Sequence, residues 1–229
     1  MFKKIINYFS KAEIILWLSS VAFVLISFFI FKGTSVLSLI ASLVGITALI
    51  FCAKGNPIGQ GLIIIFAILY AIISFSFSYY GEMITYLCMS MPMAITSLVS
   101  WIKNPFKENK LQVKINKITC KEFVFLIFLS VIVTVVFYFI LGALGTSNLI
   151  VSTFSVTTSF IAACFMFKRS PFFALAYALN DIVLIILWIL ASIESVSYIS
   201  VVVCFVVFLI NDLYSFFNWL RMQKNQCNN

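Results

Sequence analysis

The sequence predicts an all-α integral membrane protein with eight transmembrane helices, on three observations. Hydrophobic residues make up 63% of the 229 and charged residues only 10%, with a mean hydropathy of +1.15. A soluble domain of this length needs more charged surface than that. The apolar residues fall in runs of roughly 20, enough to cross a bilayer core about 30 Å thick at about 1.5 Å per helical residue. These runs do not alternate with period two, so helices rather than a closed barrel satisfy the backbone.

The first span covers Glu13 to Phe31, the second Ser35 to Ala53, the third Ile58 to Tyr79 and the fourth Glu82 to Trp101. The stretch from Ile102 to Lys121 is too charged to enter lipid. The fifth span runs from Glu122 to Leu141, the sixth from Leu149 to Phe167, the seventh from Pro171 to Ser192 and the eighth from Val196 to Trp219. Pro57 and Pro171 stand at helix starts, where a missing N–H does no harm. Pro92 falls inside the fourth span and is expected to kink it. The first span follows Lys3, Lys4 and Lys11 like a signal sequence. It is too long for one, however, and Phe28 to Phe31 offers no small-residue cleavage site, so a retained signal-anchor is expected.

Orientation follows from the basic residues. With the N-terminus inside, fourteen of the fifteen fall on the cytoplasmic side and only Lys32 outside. Both termini are then cytoplasmic, in the inner (plasma) membrane. The net charge of +8 does not indicate nucleic acid, because the basic residues sit in short loops between apolar runs. Histidine is absent and the six cysteines, Cys52, Cys88, Cys120, Cys164, Cys204 and Cys227, form no CxxC pair. They read as buried structural thiols, and no cofactor or metal is expected.

The two halves resemble each other. Phe51 to Pro57 lies over Phe165 to Pro171, each reading F-x-x-K-x-x-P, and Ser97 to Trp101 lies over Ser215 to Trp219. The second to fourth and sixth to eighth spans are separated by one linker helix, so the two triplets run parallel, as in one class of transporter. The units are then 1–33 (an extra helix), 34–103 (first bundle), 104–121 (basic loop), 122–145 (linker), 146–221 (second bundle) and 222–229 (tail). The GxxxG spacing of Gly55 and Gly59 straddles a loop and is discounted.

A carboxylate at the centre of a span costs about 2.5–3.5 kcal/mol, so one that stays there is a functional candidate. Glu13, Glu82, Glu122 and Glu194 avoid that cost at span ends. Asn180-Asp181 and Asn211-Asp212 do not. Asn180 lies nine residues, about 14 Å, from the start of its span, and Asn211 eight residues, about 12 Å, from the end of the next. The two pairs therefore meet at one depth. Tyr177, Asp181 and Trp188 share a face, as do Asn211, Tyr214 and Asn218. Gln60, Tyr70, Tyr86 and Met93 are candidates from the first triplet. The competing readings are hydrogen-bond glue for the amides and acids and interfacial anchoring for Trp17, Trp101 and Trp219.

Tyr80-Gly81-Glu82-Met83, Leu179-Asn180-Asp181, Ile210-Asn211-Asp212-Leu213-Tyr214 and Asn218-Trp219-Leu220-Arg221, in this order and spacing, resemble the PnuC family of nicotinamide riboside transporters, from about Ser35 to Lys224. The resemblance implies a SWEET-like fold: two parallel three-helix bundles joined by a linker helix, here preceded by one extra N-terminal helix. It also implies facilitated diffusion with alternating access, trapping of the vitamin by a cytoplasmic kinase, and a homotrimer. Family members often carry tryptophans around the seventh-span asparagine and an Asn-x-x-x-Trp-like pattern late in the fourth span. This chain has Phe173 and Tyr177, and Met93 to Ser97, at those places. Relatives carry thiamine and riboflavin, so the departure bears on the substrate more than on the fold.

For a pyridinium nucleoside, aromatic faces suit the cation and asparagine matches a carboxamide. Asn180 and Asn211 are expected to hydrogen-bond the ligand, Tyr177, Trp188 or Tyr214 to stack on it, and Asp181 or Asp212 to supply charge. The spans hold no Lys or Arg for a phosphate, which favours the nucleoside over the mononucleotide. A non-transporting scaffold would use the same amides and acids only for packing. A proton-coupled carrier would use one of the acids. An enzyme is excluded, since no activated nucleophile, histidine or metal cluster is present.

Overall fold

The computed structural model describes residues 8–32, 35–76, 80–107, 109–146, 148–193 and 195–228, with the backbone alone given at Tyr80, Gly81, Asn109 and Lys110. Lys3, Lys4, Tyr79 and Glu194 lie outside the described residues. The helices are α1 (Lys11–Ile30), α2 (Val36–Ala53), α3 (Pro57–Ser76), a composite α4, α5 (Cys120–Ala143), α6 (Leu149–Phe167), α7 (Phe172–Ser192) and α8 (Ile199–Asn228). Among the described residues these supply eight helices long and apolar enough to cross a membrane.

Most helix starts are written locally. Ser10 and Thr119 each accept from the backbone of a glutamate three residues on, Glu13 and Glu122, which reaches back to the cap. These reciprocal bonds satisfy otherwise orphaned N–H groups. The fourth span is α-helical over Tyr80–Ile84, π-helical over Thr85–Ser90 and α-helical again over Met91–Lys103. Met91 N–H donates to the carbonyl of Tyr86, one residue further back than in an α-helix. The irregularity expected at Pro92 thus falls on the preceding turn, where a wider register absorbs the proline's missing donor.

Packing order defines the architecture. α2 packs on α3, α3 on α4, α4 on α6, α6 on α7, α7 on α8, and α8 back on α2, closing a six-helix ring. α1 lies outside it against α2 and α8, and α5 lies outside against α6. On α5 only Leu126, Ser130 and Leu141 are buried. Phe125, Phe128 and Phe139 are more than 60% exposed, as lipid-facing side chains should be.

The internal repeat has a physical counterpart at one end of the ring. Trp101 Nε1 donates to the carbonyl of Met166 at 3.0 Å, and Trp219 Nε1 to that of Cys52 at 2.8 Å. Ser100 Oγ donates to Phe167 and Asn218 Nδ2 to Ala53, both at 2.9 Å. Each half thus caps the first ring helix of the other, satisfying carbonyls that a helix C-terminus leaves open. Both tryptophans are fully buried, with ring centroids 5.4 Å apart, so they are caps and not interfacial anchors. Trp17, likewise expected as an anchor, donates to Thr47 on α2 at 3.2 Å.

The lysines of the two turns behave alike. Lys54 pairs with Glu13 at 3.1 Å and Lys168 with Glu122 at 2.7 Å. Gly55 and Arg169, at matching places, are both left-handed, with φ of 66° and 58°. The loop expected to be merely polar contains a hairpin, β1 (Pro105–Phe106) with β2 (Asn109–Val113). Beyond it the chain straps both turns. Val113 N–H donates to the Gly55 carbonyl at 2.9 Å, and Asn116 N–H to the Arg169 carbonyl at 3.0 Å. α8 continues through the expected tail. There Gln226 bonds Ile115 N–H at 2.8 Å and the Val113 carbonyl at 3.0 Å, which gives those last turns a tertiary partner. Of the cysteines, Cys52, Cys164 and Cys204 are buried; Cys88, Cys120 and Cys227 are exposed, departing from the expected burial.

Candidate functional site

The six-helix ring encloses a cavity of about 120 Å³ to which every ring helix contributes. α2 supplies Gly45, Ala48 and Leu49, small or apolar residues that keep the wall thin. α3, α4 and α8 bring Phe66, Tyr86, Phe205 and Phe208 as aromatic walls. α6 adds Ser159 and Met166, and α7 adds Tyr177, Asn180 and Asp181, facing Asp212 of α8. Among the described residues no Lys or Arg lines the cavity.

The two acids line the same cavity from adjacent helices. Among the described residues, Asp181 Oδ2 and Asp212 Oδ1 are buried without a hydrogen-bond partner, so both are acceptors open to a ligand or a proton. One proton shared between the two carboxyls would leave the pair with a single negative charge. Beside them Asn180 is 6% exposed, and its Oδ1 accepts from Thr158 at 2.9 Å and Ser155 at 3.3 Å. Those two bonds fix the amide orientation and leave its NH₂ for the cavity, two donors at the depth of a negative pair.

Other expected site residues lie elsewhere. Asn211 is turned from the cavity; its Nδ2 donates to Ser20 of α1 at 2.9 Å and to the Val207 carbonyl at 2.8 Å. It joins the outer helix to the ring, which is the glue role. Tyr214 donates to Glu13 at 3.2 Å, toward the Lys54 turn. Asn218 caps α2. Gln60 is fully buried against Met166 Sδ at 2.8 Å, one layer behind the wall. Trp188 lies further along, its ring 5.4 Å from that of Tyr198 and in the wall of two smaller cavities. Of the first-triplet candidates Tyr86 reaches the cavity, and Tyr70 stacks behind it at 5.2 Å. Met93 packs against the core around Trp101.

The phenylalanine walls carried no sequence signal, because the 26 phenylalanines are spread through every span but the fourth. Glu82 was also missed. Placed at a span end by sequence, it lines the two smaller cavities.

The model of the nicotinamide mononucleotide transporter family matches residues 35–221. The nicotinamide riboside transporter PnuC of Neisseria mucosa is 26% identical over 200 residues, covering 86% of this chain and 76% of that protein. The crystal structure of the vitamin B3 transporter PnuC has the same fold, with a TM-score of 0.81 at 24% identity over 95% of this chain and 94% of that one.

Proposed function

The chain belongs to the nicotinamide mononucleotide transporter family, a family of transporters and not enzymes, and from that premise we propose that it takes up nicotinamide riboside by facilitated diffusion. The observation that carries this reading is the Asp181–Asp212 pair in a cavity walled by aromatics and, among the described residues, free of basic side chains. A pyridinium ring is a flat cation. Tyr86, Tyr177 and the phenylalanines offer it π faces, worth about 2 kcal/mol when desolvated. The acid pair balances its charge, and the Asn180 NH₂ meets the carboxamide oxygen. A phosphate at the same place would face a carboxylate with no Lys or Arg to hold it. The nucleoside is therefore the substrate and the mononucleotide is rejected.

The ring supports alternating access by rocking of α2–α4 against α6–α8 about the acid pair. Both termini face the cytoplasm in the inner membrane, as the basic residues direct. A homotrimer is the assembly that the family likeness favours. Uptake of radiolabelled nicotinamide riboside and of its mononucleotide into proteoliposomes tests the reading, with thiamine and riboflavin as competitors. Nucleoside uptake blocked by neither vitamin supports it. Mononucleotide uptake at a comparable rate overturns it.

A further inference from the structure

Two smaller cavities, of about 40 and 80 Å³, lie beyond the central one, toward the end opposite the Lys54 and Lys168 turns. Glu82 and Trp188 line both. The larger also shares Tyr86, Ser90, Ser159 and Asn180 with the central cavity, so a continuous lining leads from Glu82 to the acid pair. Among the described residues no Lys or Arg lines any of the three.

Among the described residues Glu82 accepts a long hydrogen bond from Ser74 Oγ at 3.4 Å. A carboxylate can accept about four. Glu82 opens its span and faces the two cavities with no basic side chain among the described residues that line them, which leaves its charge to a cation. The backbone adds an independent sign. The π-helical turn at Thr85–Ser90 starts just beyond Glu82 and places Thr85, Tyr86 and Ser90 in the cavity walls. Such turns concentrate at functional sites.

We infer that Glu82 and Trp188 form a vestibule site that holds a flat organic cation before it reaches the Asp181–Asp212 pair. The carboxylate attracts the charge and the indole covers the ring. The site selects for positive charge at the mouth, so an uncharged molecule of the same shape gains nothing there. This rests on the transport reading above, which supplies the cation.

The test compares uptake of nicotinamide riboside with that of its uncharged dihydropyridine form in proteoliposomes, for wild type, Glu82→Gln, Glu82→Asp and Trp188→Leu. The expected result is that Glu82→Gln lowers the preference for the cation, as a ratio of kcat/KM values, about tenfold, the scale of one charged contact. Glu82→Asp retains most of the preference, and Trp188→Leu lowers it from the opposite wall even where Glu82→Gln folds poorly. Equal loss for both compounds, or an unchanged ratio in folded variants, overturns the site while transport stands. Wild type that carries neither compound overturns the transport reading and the site with it.

Discussion

Trp219 of α8 donates its indole N–H to the carbonyl of Cys52 on α2, and Trp101 of α4 repeats that bond on α6. The two rings touch beneath the chamber, so each half of the ring ends on the other. Replacing either with Phe keeps the ring and removes the donor, and should lower stability by about 1 kcal/mol. Because the rings are in contact, the double variant should deviate from the sum of the singles. Thermal unfolding in detergent measures both.

The acid pair predicts a charge pattern. Asp181→Asn or Asp212→Asn alone leaves one carboxylate with an amide donor beside it, and so keeps one negative charge. Each single variant should weaken binding of the pyridinium nucleoside by less than about fivefold, and the double variant by about ten- to a hundredfold. Calorimetry reads both. A single variant as damaging as the double would show that the acids do not share one charge.

Asn180 and Asn211 should separate cleanly. Asn180→Ala removes donors from the cavity and should weaken ligand affinity about tenfold or more. Asn211→Ala unties α1 from the ring and should lower stability by about 1–2 kcal/mol while affecting affinity less. Calorimetry and thermal unfolding on the same two preparations distinguish the roles.

The two lysine turns are alike in sequence and unlike in burial. Glu13 is 3% exposed, whereas Glu122 is about one-third exposed. Lys54→Met strands a buried carboxylate and should destabilise by on the order of 3 kcal/mol. Lys168→Met leaves its partner in contact with water and should change the melting temperature little.

Gly59 marks the closest approach of α2 and α3. A Cβ there would lie 2.6 Å from Cys52 Sγ and 2.7 Å from its backbone nitrogen. Gly59→Ala should force the helices apart and destabilise by about 1–3 kcal/mol, again read by thermal unfolding.

Much of this was legible in the residues alone. The spans were, because lipid demands long apolar runs. So were the matched F-x-x-K-x-x-P turns, and the shared depth of Asp181 and Asp212 followed from counting rises. What escaped was rotation. Consecutive residues on a helix point about 100° apart, so Asn211 and Asp212 take different neighbours. Which of them faced the ring's interior depended on where α1 docked. Trp101 and Trp219 escaped for a related reason. A span end suits an anchor and a cap equally, and the carbonyl that decides between them belongs to a distant helix.

The strap under the lysine turns is fastened through main-chain atoms at both points, with Val113 and Asn116 supplying N–H groups and Gly55 and Arg169 supplying carbonyls. Alanine scanning leaves those two hydrogen bonds in place and registers instead the packing of Val113, whose side chain is fully buried. Only proline, which carries no N–H, unhooks it, one half at a time. The grip on both halves thus lies in main-chain bonds, backed by the buried Val113 side chain.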